Sequence, residues 1–114
     1  MCVYKILTEE QLTALRREGE SRGAPVDLDD GFIHLAAGYQ VAETAEKHFA
    51  GQQGLWLAAL DATRLGDDLK WEKARSGNLF PHLYRPIRLS DVVWIRPLQA
   101  EPDGRFRFSE DVGP

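Results

Sequence analysis

The spacing of hydrophobic and polar positions changes several times along the chain. Cys2 to Leu7 (Cys-Val-Tyr-Lys-Ile-Leu) has the composition of a strand, and Thr8-Glu9-Glu10-Gln11 follows directly. Thr-x-x-Gln is a capping box, and Leu7 and Leu12 are spaced as a hydrophobic staple, so a helix starts at Thr8. Leu12 and Leu15 face inward, Arg16, Arg17 and Glu18 outward, and Gly19 ends it. Glu20 to Val26, with Gly23 and Pro25, reads as a loop. Asp29-Asp30-Gly31 is turn chemistry, because Asp bonds its own backbone and Gly tolerates positive φ. Phe32-Ile33-His34-Leu35 then predicts a short buried strand. Phe32 and His34 share one face, Ile33 and Leu35 the other.

Beyond it, Val41, Ala42, Ala45 and Phe49 form an apolar stripe over 38–50, with Glu43 and Lys47 paired at i,i+4. A second helix is expected there, and Gly51 is its natural stop. His48 only flanks that stripe and reads as a partly exposed packing residue. Gly54 to Leu60 is apolar without alternation, as in a central strand covered on both faces. Asp61 to Asp68 reads as a turn region. Leu69-Lys70-Trp71-Glu72 alternates, sending Leu69 and Trp71 one way and Lys70 and Glu72 the other. Ala74 to Asn78 is a polar loop. Two prolines in the Phe80–Ile87 stretch argue for a fixed loop or edge segment. Val92 to Leu98 is a strand, Pro102-Asp103-Gly104 a turn, and Arg105–Phe108 a final edge strand whose tail frays. Two helices in the N-terminal half among about six strands is an α+β pattern, and the loss of strand–helix alternation after Leu60 argues against a Rossmann order.

Composition narrows the classes. At 114 residues, 43% hydrophobic and 28% charged, residues 1–114 are expected to form a single domain with one core. No apolar run approaches the ~20 residues of a membrane span. The N-terminus has no signal-peptide layout, so a cytoplasmic location is expected. Cys2, the only cysteine, forms no internal disulfide and no thiolate metal cluster. A net charge of −4 argues against nucleic acid as a partner. No GxGxxG or Walker sequence is present.

Candidate chemistry gathers at His34, Glu72, His82 and Tyr84, with Lys5, Asp30 and Arg85 as outer members. His34 lies in an apolar run and must bond a partner or face a cavity. His82, framed by Phe80, Pro81, Leu83 and Tyr84, is presented by a rigid segment. Each has a structural alternative. His34 is equally a core histidine on a backbone carbonyl, His82 a ring stacked on Pro81 or Tyr84, and Glu72 a solvated partner of Lys70 or Lys73. Two histidines with Asp30 or Glu72 would suffice in number for a metal, but their spacing matches no ligand pattern, and none is expected. None of Ser21, Ser76, Ser90 and Ser109 sits in a nucleophile elbow, and Cys2 has no setting that would activate it.

Tyr4-Lys5-Ile6-Leu7, Asp27-Leu28-x-Asp30-Gly31-Phe32-Ile33-His34-Leu35, Trp71-Glu72 and Phe80-Pro81-His82-Leu83-Tyr84 resemble, in order, an uncharacterised bacterial family, domain of unknown function 952. That family is similar to the ADP-ribosyltransferase fold superfamily, and His34-Leu35-Ala36 looks like the strand end of its RNA 2′-phosphotransferase branch. The resemblance implies a pair of small bent antiparallel sheets with NAD, a substrate rather than a resident cofactor, in the cleft between them. It implies attack at the nicotinamide ribose carbon, with a carboxylate on the ribose hydroxyl and an aromatic ring on the nicotinamide. His34, Glu72 and His82 would be catalytic, and Lys5, Asp30, Phe32, Tyr84 and Arg85 would line the ligand. Two positions depart from the pattern. Tyr4-Lys5 stands where NAD-using members offer His or Arg, and Ala36-Ala37 where Ser or Thr is common. Three classes follow: an enzyme acting on NAD or an ADP-ribose derivative, a binding module for a small anionic or nucleotide-like ligand, and an interaction protein with core histidines. The first two imply a small-molecule ligand.

Overall fold

The computed structural model describes residues 1–74 and 76–112. β1 (Cys2–Leu7) and β5 (Leu55–Asp61) lie antiparallel at the centre of a sheet completed by β4 (Ala36–Ala37), β9 (Val92–Ala100) and β10 (Phe106–Arg107). The order is β10-β9-β5-β1-β4, so the expected central strand and final edge strand both hold. β5 is apolar throughout because it serves two cores. Leu55, Leu57 and Ala59 pack with Tyr4, Ile6, Val41 and Ala45, whereas Ala58 and Leu60 pack with Val3, Leu7, Leu12 and Leu15. β1 alternates in the same way, so Lys5 shares the face of Val3 and Leu7.

Over that second core lies a three-stranded antiparallel sheet, β3 (Ile33–His34), β7 (Leu79–Leu83) and β6 (Leu69–Lys73), in the order β3-β7-β6. Ile33, Leu35 and Leu83 supply its buried side. The stretch predicted as one strand from Phe32 to Leu35 changes sheets. Ile33 and His34 pair with β7, and Ala36 and Ala37 pair with β1. The whole is an α+β arrangement of curled antiparallel sheets with few helices, and none of the described helices is long and apolar enough to cross a membrane.

α1 (Glu9–Glu18) begins as expected. Gln11 N donates to Thr8 Oγ1 (3.2 Å) and Thr8 N to Gln11 Oε1 (3.0 Å). α3 (Val41–Phe49) buries Val41 and Ala45. The prediction of two helices in the N-terminal half needs correction, because 25–30, read as loop and turn, forms α2 (Pro25–Asp30). Pro25 stands in the first turn, where its missing N–H matters least. The Asp27 carboxylate accepts from Ala24 N (2.7 Å), and Gly31 closes the helix in the left-handed region at φ 83°. The Asp61–Asp68 turn region contains a further short helix, α4 (Ala62–Leu65), with Asp61 Oδ1 capping Thr63 N at 2.9 Å.

The Phe80–Ile87 reading is also corrected. β7 is the middle strand of its sheet despite Pro81. The Pro81 carbonyl accepts from Leu35 N (3.0 Å). The side from which its N–H is missing faces β3, which ends at that level as the chain leaves for the other sheet. Glu20 and Ser21, expected in a loop, form β2 and pair with β8 (Ile87–Arg88). The Ala74–Asn78 loop is the β6–β7 turn, closed by Ala74 N donating to Asn78 O at 2.9 Å. Arg75 within it, and Gly113 and Pro114 of the expected frayed tail, lie outside the described residues.

Candidate functional site

Register places the site. His34 of β3 lies directly opposite His82 of β7, which lies opposite Lys70 of β6, and Glu72 lies opposite Phe80. Opposed residues in an antiparallel ladder share a face. Lys70, Glu72, Phe80, His82 and His34 therefore project from one side, and Leu69, Trp71, Pro81, Leu83 and Ile33 take the core side. Trp71, at the sheet edge, stays 37% exposed.

Phe32 organises the rings on the outer side. It stacks on His82 (centroids 4.1 Å apart, 23° between planes), and lies 4.7 Å from His34 and 5.3 Å from Tyr84. The two imidazoles are 5.6 Å apart and meet edge to face. His82 thus stacks on Phe32, not on Pro81 or Tyr84.

Glu72 fixes His82. Its Oε1 accepts from the Tyr84 hydroxyl (2.6 Å) and from His82 Nδ1 (2.9 Å). A carboxylate partner makes Nδ1 the donor, which leaves Nε2 as the atom presented to a ligand. No described residue bonds Nε2, although the His82 residue is only 7% exposed. The bonds from Tyr84 and then His82 hold the Glu72 carboxyl below the usual glutamate value, and Glu72 in turn raises the Tyr84 phenol.

His34 is held by α2 and not by a backbone carbonyl. Its Nδ1 is 2.6 Å from Asp27 Oδ1 and its Nε2 is 3.0 Å from Asp30 Oδ2. Three residues apart on one short helix, the two aspartates reach the same ring. Asp27 is the hub. Its Oδ1 also accepts from His34 N (3.0 Å), and its Oδ2 accepts from Lys5 Nζ (2.8 Å) and Ala24 N. Lys5 donates a second bond to the His34 carbonyl at 3.0 Å. Burial alone would push Asp27 up, but the Lys5 charge and these bonds overcome it and hold the carboxyl below the ordinary value. Gly23 (φ +90°) approaches so closely that an added Cβ would overlap the Asp27 carboxylate.

The fold therefore brings together His34, Glu72, His82, Phe32, Tyr84 and Asp30. Lys5 reaches the group through Asp27 and the main-chain carbonyl of His34, not through either ring. Arg85 is committed elsewhere. Its guanidinium makes a bidentate pair with buried Asp91 (2.9 and 3.0 Å) and approaches Asp68 at 3.3 Å. It does line a cleft of about 310 Å³ beside the ring cluster, with Arg22, Leu28, Phe32, Tyr84 and Pro86. Neither that cleft nor a separate groove of about 420 Å³, lined by Glu9, Trp56 and Pro97 among others, is lined by His34, His82 or Glu72. Among the described residues, no three His, Cys, Asp or Glu side chains are arranged to hold a metal ion.

Sequence reasoning missed Asp27 as the hub. The available signal was a lone lysine in an apolar strand, which demands a buried counter-charge. It also missed Gln40, whose amide accepts from Ala37 N (2.9 Å) and donates to Leu79 O (2.7 Å), tying the two sheets together.

Curled antiparallel sheets with few helices, one sheet bearing a pair of carboxylate-backed histidines on a phenylalanine, define the class. The family described as "Protein of unknown function (DUF952)" matches residues 6–95, and the chain belongs to it. The chain is similar to CC0527 from Caulobacter crescentus. The X-ray structure of that protein has a TM-score of 0.90 at 48% identity, over 94% of each chain. Its solution NMR structure has a TM-score of 0.82 at 49% identity, over 91% of this chain and 90% of the other. No curated protein matches the sequence.

Proposed function

We propose that the outer face of the three-stranded sheet binds a nucleotide-like small molecule, NAD or an ADP-ribose derivative, within an ADP-ribosyltransferase-like fold. The observation that carries this reading is Glu72, whose Oε1 is taken by Tyr84 and His82. Its Oε2, which no described residue bonds, is left to accept from a ribose hydroxyl. A carboxylate so held stabilises positive charge as it develops at the ribose carbon, and electrostatic stabilisation of that kind is commonly the largest catalytic contribution. Phe32 and Tyr84 offer ring faces to a base or a nicotinamide, and His82 Nε2 offers a polar contact. Lys5 acts as a positioning residue through Asp27, Asp30 covers His34, and Arg85 flanks the adjoining cleft. A purely structural role for the histidines predicts rings bonded to backbone; carboxylates at both Nδ1 atoms argue against it.

One observation favours binding without turnover. Both nitrogens of His34 face carboxylates, so His34 offers no free base. Calorimetric titration with NAD and ADP-ribose, followed by assay for released nicotinamide, separates the two readings. Saturable binding that His34→Ala and His82→Ala weaken about tenfold or more, with melting temperatures changed less than affinity, supports the site. Nicotinamide release abolished by Glu72→Gln makes it an enzyme; binding without release makes it a binding module. No binding at millimolar ligand refutes the NAD reading.

A further inference from the structure

Resting on the same face as a ligand site, one feature identifies which part of a ligand it grips. Lys70, His82 and His34 are consecutive cross-strand partners on β6, β7 and β3. They form a row across the sheet, all on the outer side. Neighbouring strands are about 5 Å apart, so the row spans about 10 Å, in keeping with the 5.6 Å between the two imidazoles. Lys70 is exposed, and among the described residues it makes no hydrogen bond or ion pair, although its charge is felt at Glu72. His82 Nε2 is likewise unbonded among the described residues, on a ring that is nearly buried and fixed at its other nitrogen.

The third position already holds an anion. Asp30 Oδ2 sits 3.0 Å from His34 Nε2, on a side chain 47% exposed at the C-terminal end of α2. Asp27, by contrast, is fully enclosed and bonded to Lys5. The exposed carboxylate marks where an anionic oxygen meets the row, and a side chain held by one contact is displaceable.

We propose that Lys70, His82 and His34 form a subsite for the diphosphate of a ligand, whose phosphoryl oxygens replace the Asp30 carboxylate on His34. A single carboxylate would engage one end of the row. Two linked phosphoryl groups engage all three positions with charge-assisted hydrogen bonds, donated by the Lys70 ammonium and by Nε2–H of the two histidines as imidazoliums, whose Nδ1–H is held by Asp27 or Glu72. Asp30 is then an internal competitor, which discriminates against weakly charged ligands.

The test measures inorganic pyrophosphate and ADP-ribose binding by calorimetry and by nitrogen-15 shifts of the imidazoles, in wild type, Lys70→Ala and Asp30→Asn. Both substituted side chains are exposed, and circular dichroism melts check that the variants fold. Lys70→Ala is expected to weaken pyrophosphate binding about tenfold, one charge-assisted bond. Asp30→Asn is expected to tighten it about threefold or more, and pyrophosphate should move the His34 Nε2 and His82 Nε2 resonances. The opposite signs of the two variants are the signature, because general loosening of the site would weaken binding in both. Pyrophosphate that shows this pattern while NAD and ADP-ribose fail to bind upholds the subsite and overturns the NAD reading. ADP-ribose binding indifferent to Lys70→Ala, or weakened by Asp30→Asn, overturns the subsite and leaves the NAD reading standing. Absence of binding by either probe at 10 mM (roughly 3 kcal/mol) overturns both.

Discussion

Removing the Asp27 carboxylate tests how the site is held. Asp27→Ala strips Lys5, at 8% exposure, of its counter-charge and leaves Ala24 N and His34 N without their acceptor. Breaking a buried pair from one side costs about 3–5 kcal/mol, chiefly because the remaining charge is stranded. A domain of this size has about 5–15 kcal/mol in total, so the variant is expected to lose about a fifth or more of its stability. At about 4 °C per kcal/mol, the melting temperature falls by about 12–20 °C. Urea unfolding followed by tryptophan fluorescence measures the loss directly. The double variant Lys5→Met/Asp27→Asn removes both charges while Asn keeps one oxygen as acceptor. It should therefore be at least about 1 kcal/mol more stable than the sum of Lys5→Met and Asp27→Asn predicts.

The sign of the pH dependence follows from the depressed Asp27 value. A carboxyl that titrates lower when folded contributes fully above its unfolded value, about 3.9, and loses that contribution as pH falls through the lower folded value. The gap between wild type and Asp27→Ala should thus be flat at neutral pH and close only under strongly acidic conditions. A loss below about 1 kcal/mol, strict additivity in the double variant, or a gap closing near neutrality would refute the role given to Asp27.

Tyr84→Phe removes the foremost cause of the lowered Glu72 value, so the carboxyl should titrate closer to the ordinary glutamate value. Carbon-13 NMR of the glutamate side chains reads this, and an unmoved Glu72 would show that the 2.6 Å contact does not govern it. Arg85→Lys replaces a planar fork with a point charge facing Asp91, which is 3% exposed. The expected loss is about 1.5–3 kcal/mol in denaturant unfolding, and full stability with Lys would contradict a bidentate requirement.

The parts legible from sequence were those decided by near neighbours. Thr8 and Gln11 cap α1 through a contact three residues long. The unbroken apolar run of β5 announced a strand with two buried faces. The alternation of Phe32 with His34, and of Lys70 with Glu72, places each pair on one face, as the register and the ring contacts also do. The helical start at Pro25 was also local, but the glycine and aspartates around it read more readily as a turn.

What only the tertiary structure decided is the company those residues keep. His34 meets His82 because β3 and β7 pair in one register, and a slip of one residue would turn His82 into the core. Pro81 sits in a central strand because the chain between His34 and Ala36 leaves β7 where the proline lacks its donor. Asp27 became a hub because β1 delivers Lys5 from the other sheet into the low-dielectric space beneath α2, where the ammonium must be matched. Periodicity and capping are set by interactions within about a helical turn. Burial of charge, sheet register and ring stacking depend on residues distant in the chain, which meet only once both cores have formed.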